Sequence, residues 1–392
     1  MIKTTSRWLF WISVSTIVYT YIGFPLIVLL RGLLRPRPVN IVPHTPKVSI
    51  IIAAYNEESI IKQKLDNTFA LNYPNSEIEV IVASDGSDDT TNQIVREYGA
   101  PQVRLLTLPR QGKNQTLNHA VSVANGEILV FSDADSMLKP DALIHLVAPF
   151  SDPAVGGVGG DYQYTTVAGE GSGERTYWSL DRALKQIQSE AGSMTSATGQ
   201  IYALRRSLFV PIPDGVTDDF FVSVQAPVGH QRLVFAPQAT AYGPVAASSS
   251  SEFRRKVRVI TAGLRGVWTI RQALNPVKYG FFAVQLFSHK VLRRLIVVPL
   301  LVLSVTAPLL WRHGWFYKLI TIGKYSVHSA GILGYVLRNT RIGQVKVLSL
   351  PFFFEMVNIA AVVAVANLFR RERHDIWVPQ RSQIAIDISE RG

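Results

Sequence analysis

The sequence contains no cysteine. Disulfides, thiolate nucleophiles and cysteine-ligated metals are therefore excluded. Charge is sparse too: 17% of residues are Asp, Glu, Lys or Arg, against about 25% in ordinary soluble domains. Acids are the scarcer sign, 28 against 40 Lys and Arg, which leaves a net charge of +12. Hydrophobic residues make up 47% of the chain and mean hydropathy is +0.17. A disordered chain is excluded, because disorder needs low hydrophobicity with high charge. In so apolar a chain the cationic excess points to anionic lipid headgroups or phosphorylated substrates rather than to nucleic acid.

The apolar residues are concentrated at the two ends. Trp8 to Leu30 runs 23 positions without a charge, enough to cross a bilayer as a helix. Arg31, Arg35 and Arg37 follow it in place of a small-residue cleavage site, which argues against a signal peptide. Three further stretches, Leu295–Trp311, 319–337 and Val347–Phe369, predict two or three C-terminal spans. The middle one carries Lys324 and His328, costly in lipid unless they face other helices. Asn275 to Arg294 mixes Tyr279, Phe281, Phe282 and Leu286 with Lys278, His289, Lys290 and Arg293, the pattern of a helix lying on the membrane surface. The expected plan is an anchor and linker over 1–45, a globular domain over 46–272, an interfacial helix over 273–294, membrane helices over 295–370 and a polar tail over 371–392. Charges around the first span balance, but Lys290, Arg293 and Arg294 favour a cytoplasmic side before the second. The expectation is an integral protein of the plasma (inner) membrane with its globular domain cytoplasmic.

The globular stretch alternates strand and helix patterns. Val48–Ala54 (VSIIIAA) is a short, continuous, β-branched run, as in a strand buried on both faces. Glu57–Leu71 has helical spacing, 78–83 is a second strand, and Asp88–Tyr98 is a helix capped by Ser87 or Asp88. Val103–Leu108 is a third strand, 112–124 a third helix with His119 packed on it, and Ile128–Phe131 a fourth strand. The glycines at 156, 157, 159 and 160 read as a closely packed strand, and Ser248–Ser251 as a loop. Such an order predicts an α/β fold with a doubly wound, mostly parallel sheet. Ligands of such sheets collect beyond the carboxyl ends of the strands.

Those ends are all polar. After the first comes Tyr55-Asn56-Glu57-Glu58, and after the second Ser84-Asp85-Gly86-Ser87-Asp88-Asp89. After the third comes Arg110-Gln111-Gly112-Lys113, and after the fourth Ser132-Asp133-Ala134-Asp135. One acidic turn is an ordinary solvated cap; four on one edge point to a site. Asp133 and Asp135 flank a small residue and suit a hard cation, Mg²⁺ or Mn²⁺, with diphosphate oxygens completing its shell. Asp85 suits a base edge or ribose hydroxyl. Lys113, at a helix start, suits a phosphate, its plain alternative being a surface lysine.

The ordered set AAYNEE, SDGSDDTT, RQGKNQTLNHA and VFSDADS resembles the inverting family 2 glycosyltransferases with a GT-A fold, over about Lys47 to Val259. The flanking spans and SHKVLRR (Ser288 to Arg294) resemble the membrane-integrated branch that includes synthases of chitin-type, poly-N-acetylglucosamine and hyaluronan chains. The resemblance implies that Ala53, Tyr55 and Glu57 border the nucleotide and that Asp85 contacts the uracil–ribose part. It places Asp133 and Asp135 on metal and diphosphate, and Gly199 and Gln200 at the acceptor. Asp218-Asp219 in VTDDFF matches the motif whose last acid is the general base, so Asp219 is expected in that role with Asp218 second.

From the resemblance alone, the donor is a UDP-sugar, UDP-N-acetylglucosamine first. The acceptor is a polysaccharide or a lipid-linked sugar, with membrane lipids around the protein, no nucleic acid, and an accessory subunit left open. One feature departs from the branch. Its Q-x-x-R-W motif corresponds here to Arg255-Lys256-Val257-Arg258-Val259, which keeps Arg but lacks Gln and Trp. Arg255 or Arg258 can still hold the diphosphate, but the aromatic platform for the acceptor sugar is missing. That favours, as alternative, transfer of one sugar to polyprenyl phosphate or a glycolipid. A non-catalytic module that senses nucleotide sugars is the rival outside the enzymes.

Overall fold

A computed structural model describes residues 2–164, 172–243 and 249–370. Eight strands form one sheet: β1 (Val48–Ala54), β2 (Ile78–Asp85), β3 (Val103–Leu108), β4 (Ile128–Ser132), β5 (Met137–Leu138), β6 (Val155–Tyr164), β7 (Ile201–Arg205) and β8 (Arg232–Gly243). Their order is β3-β2-β1-β4-β7-β6-β8-β5. The strand expectations for β1 and β3 hold to the residue, and β2 and β4 run slightly further.

Every residue of β1 is buried. Its side chains alternate between two cores. Val48, Ile50 and Ile52 join one, Ile51 and Ala53 the other. β2 divides in the same way, with Val80 and Val82 on one face and Ile81 and Ala83 on the opposite one. A continuous apolar strand is what two covered faces require.

The doubly wound reading describes only β1 to β4, which pair in parallel. Beyond them the sheet is mixed. β7 runs antiparallel to both β4 and β6, and β8 parallel to β6. β6 is the glycine-rich strand. A Cβ on Gly160 would press into the Ala239 carbonyl and the Ile201 side chain, so close strand packing excludes a larger residue there. The order reverses at β1, which lies between β2 and β4; such a switch point opens a crevice at the carboxyl edge.

Four local expectations are corrected. The first helix is shorter, Ile61–Phe69, because Asn56 takes a positive φ of 54° and the chain turns before entering it. The helix Thr91–Glu97 is not capped by Ser87 or Asp88, whose side chains bind the Asn56 backbone and amide; Asp89 instead accepts from the Thr91 N–H at 3.0 Å. His119 lies on the helix Lys113–Ser122 but faces solvent. Ser249 to Ser251 begin a helix, Ser249–Thr269, while Ser248 and the 371–392 tail lie outside the described residues.

Among the described residues two helices are long and apolar enough to cross a membrane, Thr4–Leu34 and Lys346–Leu368. The first runs through a π-helical turn at Tyr19–Gly23. The expected span at Leu295–Trp311 is a shorter helix, Val297–Leu309, and qualifies only when joined to Phe281–Leu292 across a 61° bend. Lys324 and His328 of the helix Trp315–Val336 do turn toward a neighbour: Lys324 Nζ lies 2.9 Å from His328 Nε2, whose Nδ1 lies 2.6 Å from Glu355.

The interfacial segment differs most. It is broken into Pro276–Tyr279, Phe281–Leu286 and a π-helical Phe287–Leu292. Tyr279, Phe282, Ala283 and Leu286 are buried in the second core of the sheet domain. Val277, Val284 and Phe287 remain exposed. An apolar stripe finds protein as readily as lipid, and periodicity alone does not distinguish the two.

Candidate active site

The carboxyl edge of β1, β2 and β4 carries the acidic turns. Asp85, at the end of β2, is almost fully buried. Its carboxylate accepts from the backbone N–H groups of Gln111 (2.8 Å) and Gly112 (3.0 Å) and from the Arg110 guanidinium. Gly112 adopts a φ of 94°, a conformation that glycine supplies without strain, and this turns its N–H onto Asp85. The same Arg110 guanidinium lies 3.5 Å from the centre of the Tyr55 ring. Asp85 thus holds the 110–112 loop and, through Arg110, ties it to Tyr55. The Glu57 N–H donates to Thr91 Oγ1 at 2.8 Å, fastening the turn after β1 to the helix after β2.

The turn after β4 holds Asp133 and Asp135. Burial raises the Asp135 carboxyl to about 6, and the Asp133 charge pushes the same way against Lys64 and Lys113. Lys64 is fully buried. Its amine donates to Ser132 Oγ at 2.7 Å and to the Ser136 carbonyl, so it clamps both sides of the acidic turn. Burial lowers this amine to about 7, against the pull of Asp133 and Asp135. Sequence analysis missed Lys64, though the signal was present: it stands among Ile61, Leu65 and Thr68 on the buried face of its helix.

Lys113 is not a surface lysine. Its Nζ lies 2.8 Å from Asp133 Oδ1 and 3.1 Å from Asp218 Oδ2. It joins the β4 turn to the helix Asp218–Ser223, whose N-cap is Thr217. Asp219 is differently placed. Its Oδ1 accepts the Phe220 N–H at 2.7 Å, and a Cβ on Gly199 would touch it, so the two pack directly. Burial and then the Asp218 charge raise the Asp219 carboxyl above the usual carboxylate range, against the Phe220 N–H.

A cavity of about 690 Å³ opens beside these groups. Of the expected residues it brings together Lys113, Asp133, Gly199, Gln200, Asp218, Asp219, Arg255 and Arg258. Ala53, Tyr55, Glu57, Asp85 and Asp135 are not in its lining. Arg255 is bound by Glu252 in two contacts of 2.6 and 2.9 Å. Arg258 faces Asp218 and Asp133; burial lowers its guanidinium and those acids oppose the shift. Lys290 also lines the cavity and donates to Ser196 Oγ. Sequence analysis placed it on a membrane-surface helix. Among the described residues no group of three or more Asp, Glu or His could hold a metal on protein ligands alone.

Comparison with known proteins agrees with this geometry. Residues 49–211 match the model of glycosyl transferase family 2. The chain carries a family 2 glycosyltransferase domain. Poly-beta-1,6-N-acetyl-D-glucosamine synthase of Staphylococcus epidermidis is 26% identical over 235 residues, covering 57% of this chain and 57% of that protein. Beta-monoglucosyldiacylglycerol synthase of Trichormus variabilis is 37% identical over 118 residues, covering 29% of this chain and 25% of that protein. The chain spans little more than half the length of the synthase it matches. Among solved structures, the mannosyltransferase PcManGT of Pyrobaculum calidifontis, in complex with GDP-Man and Mn²⁺, superposes with a TM-score of 0.69 at 22% identity, covering 93% of this chain and all of that one. The family 2 domain of this chain has the GT-A fold.

Proposed function

We propose that this chain is a membrane-bound inverting glycosyltransferase that moves a sugar from a nucleoside diphosphate sugar to an acceptor hydroxyl. One observation carries the reading. Two adjacent half-buried carboxylates line one cavity with different partners: Asp218 lies 3.1 Å from the Lys113 amine, while Asp219 Oδ1 accepts the Phe220 N–H. A proton acceptor needs a lone pair directed at its substrate, and this reading gives that task to Asp219.

In the proposed reaction Asp219 takes the acceptor hydroxyl proton as that oxygen attacks the anomeric carbon. The bond to the diphosphate oxygen breaks, and the nucleoside diphosphate leaves with the electron pair. A single displacement inverts the anomeric centre, as in inverting glycosidases. Lys113 and Arg258 stand where they can offset charge on the leaving group. Asp133 and Asp135 would hold a Mg²⁺ or Mn²⁺ ion. The fit rests on their being close enough to resist double ionisation, which a hard cation relieves, and on a diphosphate to supply further oxygens. When bound, the ion would neutralise diphosphate charge. UDP-N-acetylglucosamine is the first donor to test, from the likeness to the Staphylococcus synthase. The proposed setting is the plasma membrane, with the family 2 domain on the cytoplasmic side.

The test is nucleoside diphosphate release by the detergent-purified chain, across UDP-, GDP- and TDP-sugars with Mg²⁺ or Mn²⁺. Metal-dependent release from one donor is expected. Failure of every donor to bind would refute the reading and favour a protein without transferase chemistry.

A further inference from the structure

One buried polar group has no task in the packing of the sheet. Tyr202 lies in β7 and is fully buried. It pairs across the sheet with Phe131 of β4, and the two rings stack 4.8 Å apart. The side chain belongs to the second core, together with Leu117 of the helix Lys113–Ser122 and Phe220 of the helix Asp218–Ser223. It therefore shares a core with both helices that the Lys113–Asp218 pair joins.

Packing accounts for the ring and not for the hydroxyl, since a phenylalanine would stack on Phe131 equally well. The Tyr202 hydroxyl is buried and, among the described residues, completes no hydrogen bond of good geometry. An unsatisfied buried donor costs stability, and one that a fold retains calls for an explanation. Asp218 is the side chain that comes nearest to accepting from it, and Asp219 and Asp133 also face the phenol. Burial, then the charges of Asp218, Asp219 and Asp133, hold this phenol well above its ordinary range. It therefore remains a donor wherever the carboxylates are ionised.

Lys113, at 3.1 Å, and Arg258 both face Asp218. They are also the two cations that the proposed reaction sets against the charge of the leaving diphosphate. A donor that draws them off takes positive charge from Asp218 and leaves it beside Asp219, a like charge. A carboxylate removed from water needs a hydrogen-bond donor, and the Tyr202 O–H is at hand. Resting on the function proposed above, we infer that Tyr202 is a positioning residue for Asp218. When the diphosphate engages Lys113 and Arg258, the Tyr202 hydroxyl donates to the Asp218 carboxylate, fixes it, and so keeps the adjacent Asp219 in place for proton transfer. Tyr202 is not in the cavity lining, so it acts through Asp218 and touches no substrate. No substrate bond changes in this step; one hydrogen bond forms inside the protein as Lys113 turns to the diphosphate.

The test uses the full chain in detergent. Calorimetry measures affinity for UDP, GDP and dTDP with Mn²⁺, and the nucleotide that wild type binds is used throughout. Tyr202→Phe keeps the ring and removes the hydroxyl. Without nucleotide its melting temperature should equal or exceed that of wild type. Its nucleotide affinity should fall about tenfold, as loss of a hydrogen bond to a charged group requires, and nucleoside diphosphate release should slow by a similar factor. In an Asp218→Ala background the added Tyr202→Phe should change affinity by less than about twofold, because residues that act as one unit are not additive. In a chain labelled with fluorotyrosine, the fluorine resonance that Tyr202→Phe deletes should shift on addition of nucleotide and Mn²⁺, and should stay still in Asp218→Ala. A lower melting temperature in Tyr202→Phe with unchanged affinity would make Tyr202 a packing residue and overturn the inference. An unmoved resonance, or an affinity loss that adds to that of Asp218→Ala, would overturn it too. A wild type that binds no nucleotide sinks the proposed function and this inference with it, whereas equal binding by wild type and Tyr202→Phe sinks the inference alone.

Discussion

Exchanging the Asp219 carboxylate for an amide isolates the proton-transfer step from everything else at the site. The side chain is half-buried, and its Oδ1 accepts the Phe220 N–H at 2.7 Å. An Asn carbonyl oxygen can keep that bond, and the volume is unchanged. Asp219→Asn also removes a negative charge beside Asp218, which the raised Asp219 carboxyl marks as unfavourable. Folding stability should therefore hold or rise slightly. Catalysis should not. A positioned base contributes about 10²- to 10⁴-fold, or about 2.7–5.4 kcal/mol on the barrier. The assay is single-turnover transfer at saturating donor, with donor affinity and the melting temperature measured on the same preparation. The expected result is donor binding within about twofold of wild type, since the change removes only a transition-state interaction, and transfer slowed by at least about a hundredfold. Transfer within about threefold of wild type would refute the assignment, as would a full loss in Asp218→Asn with Asp219→Asn intact.

Further expectations concern the neighbours of Asp219. Asp218→Asn removes the charge that raises the Asp219 carboxyl, so the acid limb of the rate profile should move to lower pH; an unmoved limb would show that the base lies elsewhere. The same change leaves Lys113 with Asp133 alone and should cost about 1.5–3 kcal/mol, the worth of a hydrogen bond to a charged group, read from denaturant midpoints. Asp135→Ala should abolish metal-dependent nucleoside diphosphate release, and unchanged release would remove Asp135 from the metal site. Lys64→Met strips the clamp from the Ser136 carbonyl and should destabilise by about 1–3 kcal/mol. The pH dependence has a definite sign. The Lys64 amine is lowered from 10.5 to about 7 in the fold, so between those values the unfolded chain binds the extra proton and stability rises with pH. Wild type should gain stability relative to Lys64→Met across that window, and parallel curves would contradict the buried-amine assignment.

Much of the polar edge was legible in the sequence, because its signals are local. Continuous β-branched runs identified four parallel strands, and acids directly after them identified an edge. The partners of those acids were less legible. Lys113 lies 20 residues from Asp133 and 105 from Asp218, and only the superposed ends of β4 and the helix at Asp218 bring the three together. Asp85 shows the same limit. Its type and position suggested a nucleotide contact, but its oxygens hold the 110–112 loop. A residue type fixes what a group can bond, whereas its partner depends on which backbone donors the fold turns toward it.

The membrane-facing half was misread for a different physical reason. Amphipathic spacing over Asn275 to Arg294 says that one face avoids water; it does not say whether lipid or protein covers that face. Tyr279, Phe282 and Leu286 go into the second core of the sheet domain. That docking turns the following Lys290, Arg293 and Arg294 into the cavity rather than toward lipid headgroups. Had this segment lain flat on a bilayer, its cations would have bound lipids at large and left the cavity to the carboxylates. Held against the sheet domain, the same cations line the cavity that Asp219 also lines. The unusual backbone at Phe287–Leu292 is part of this arrangement. A π-helical turn advances the side chains by a different angle from an α-helical one, so it resets which residues face inward after Leu286. His289 is buried against Gln188 and Thr195, and Lys290 reaches Ser196. Thr195 and Ser196 belong to the segment that leads into Gly199 and Gln200, so His289 and Lys290 are fastened to that side of the carboxylate pair.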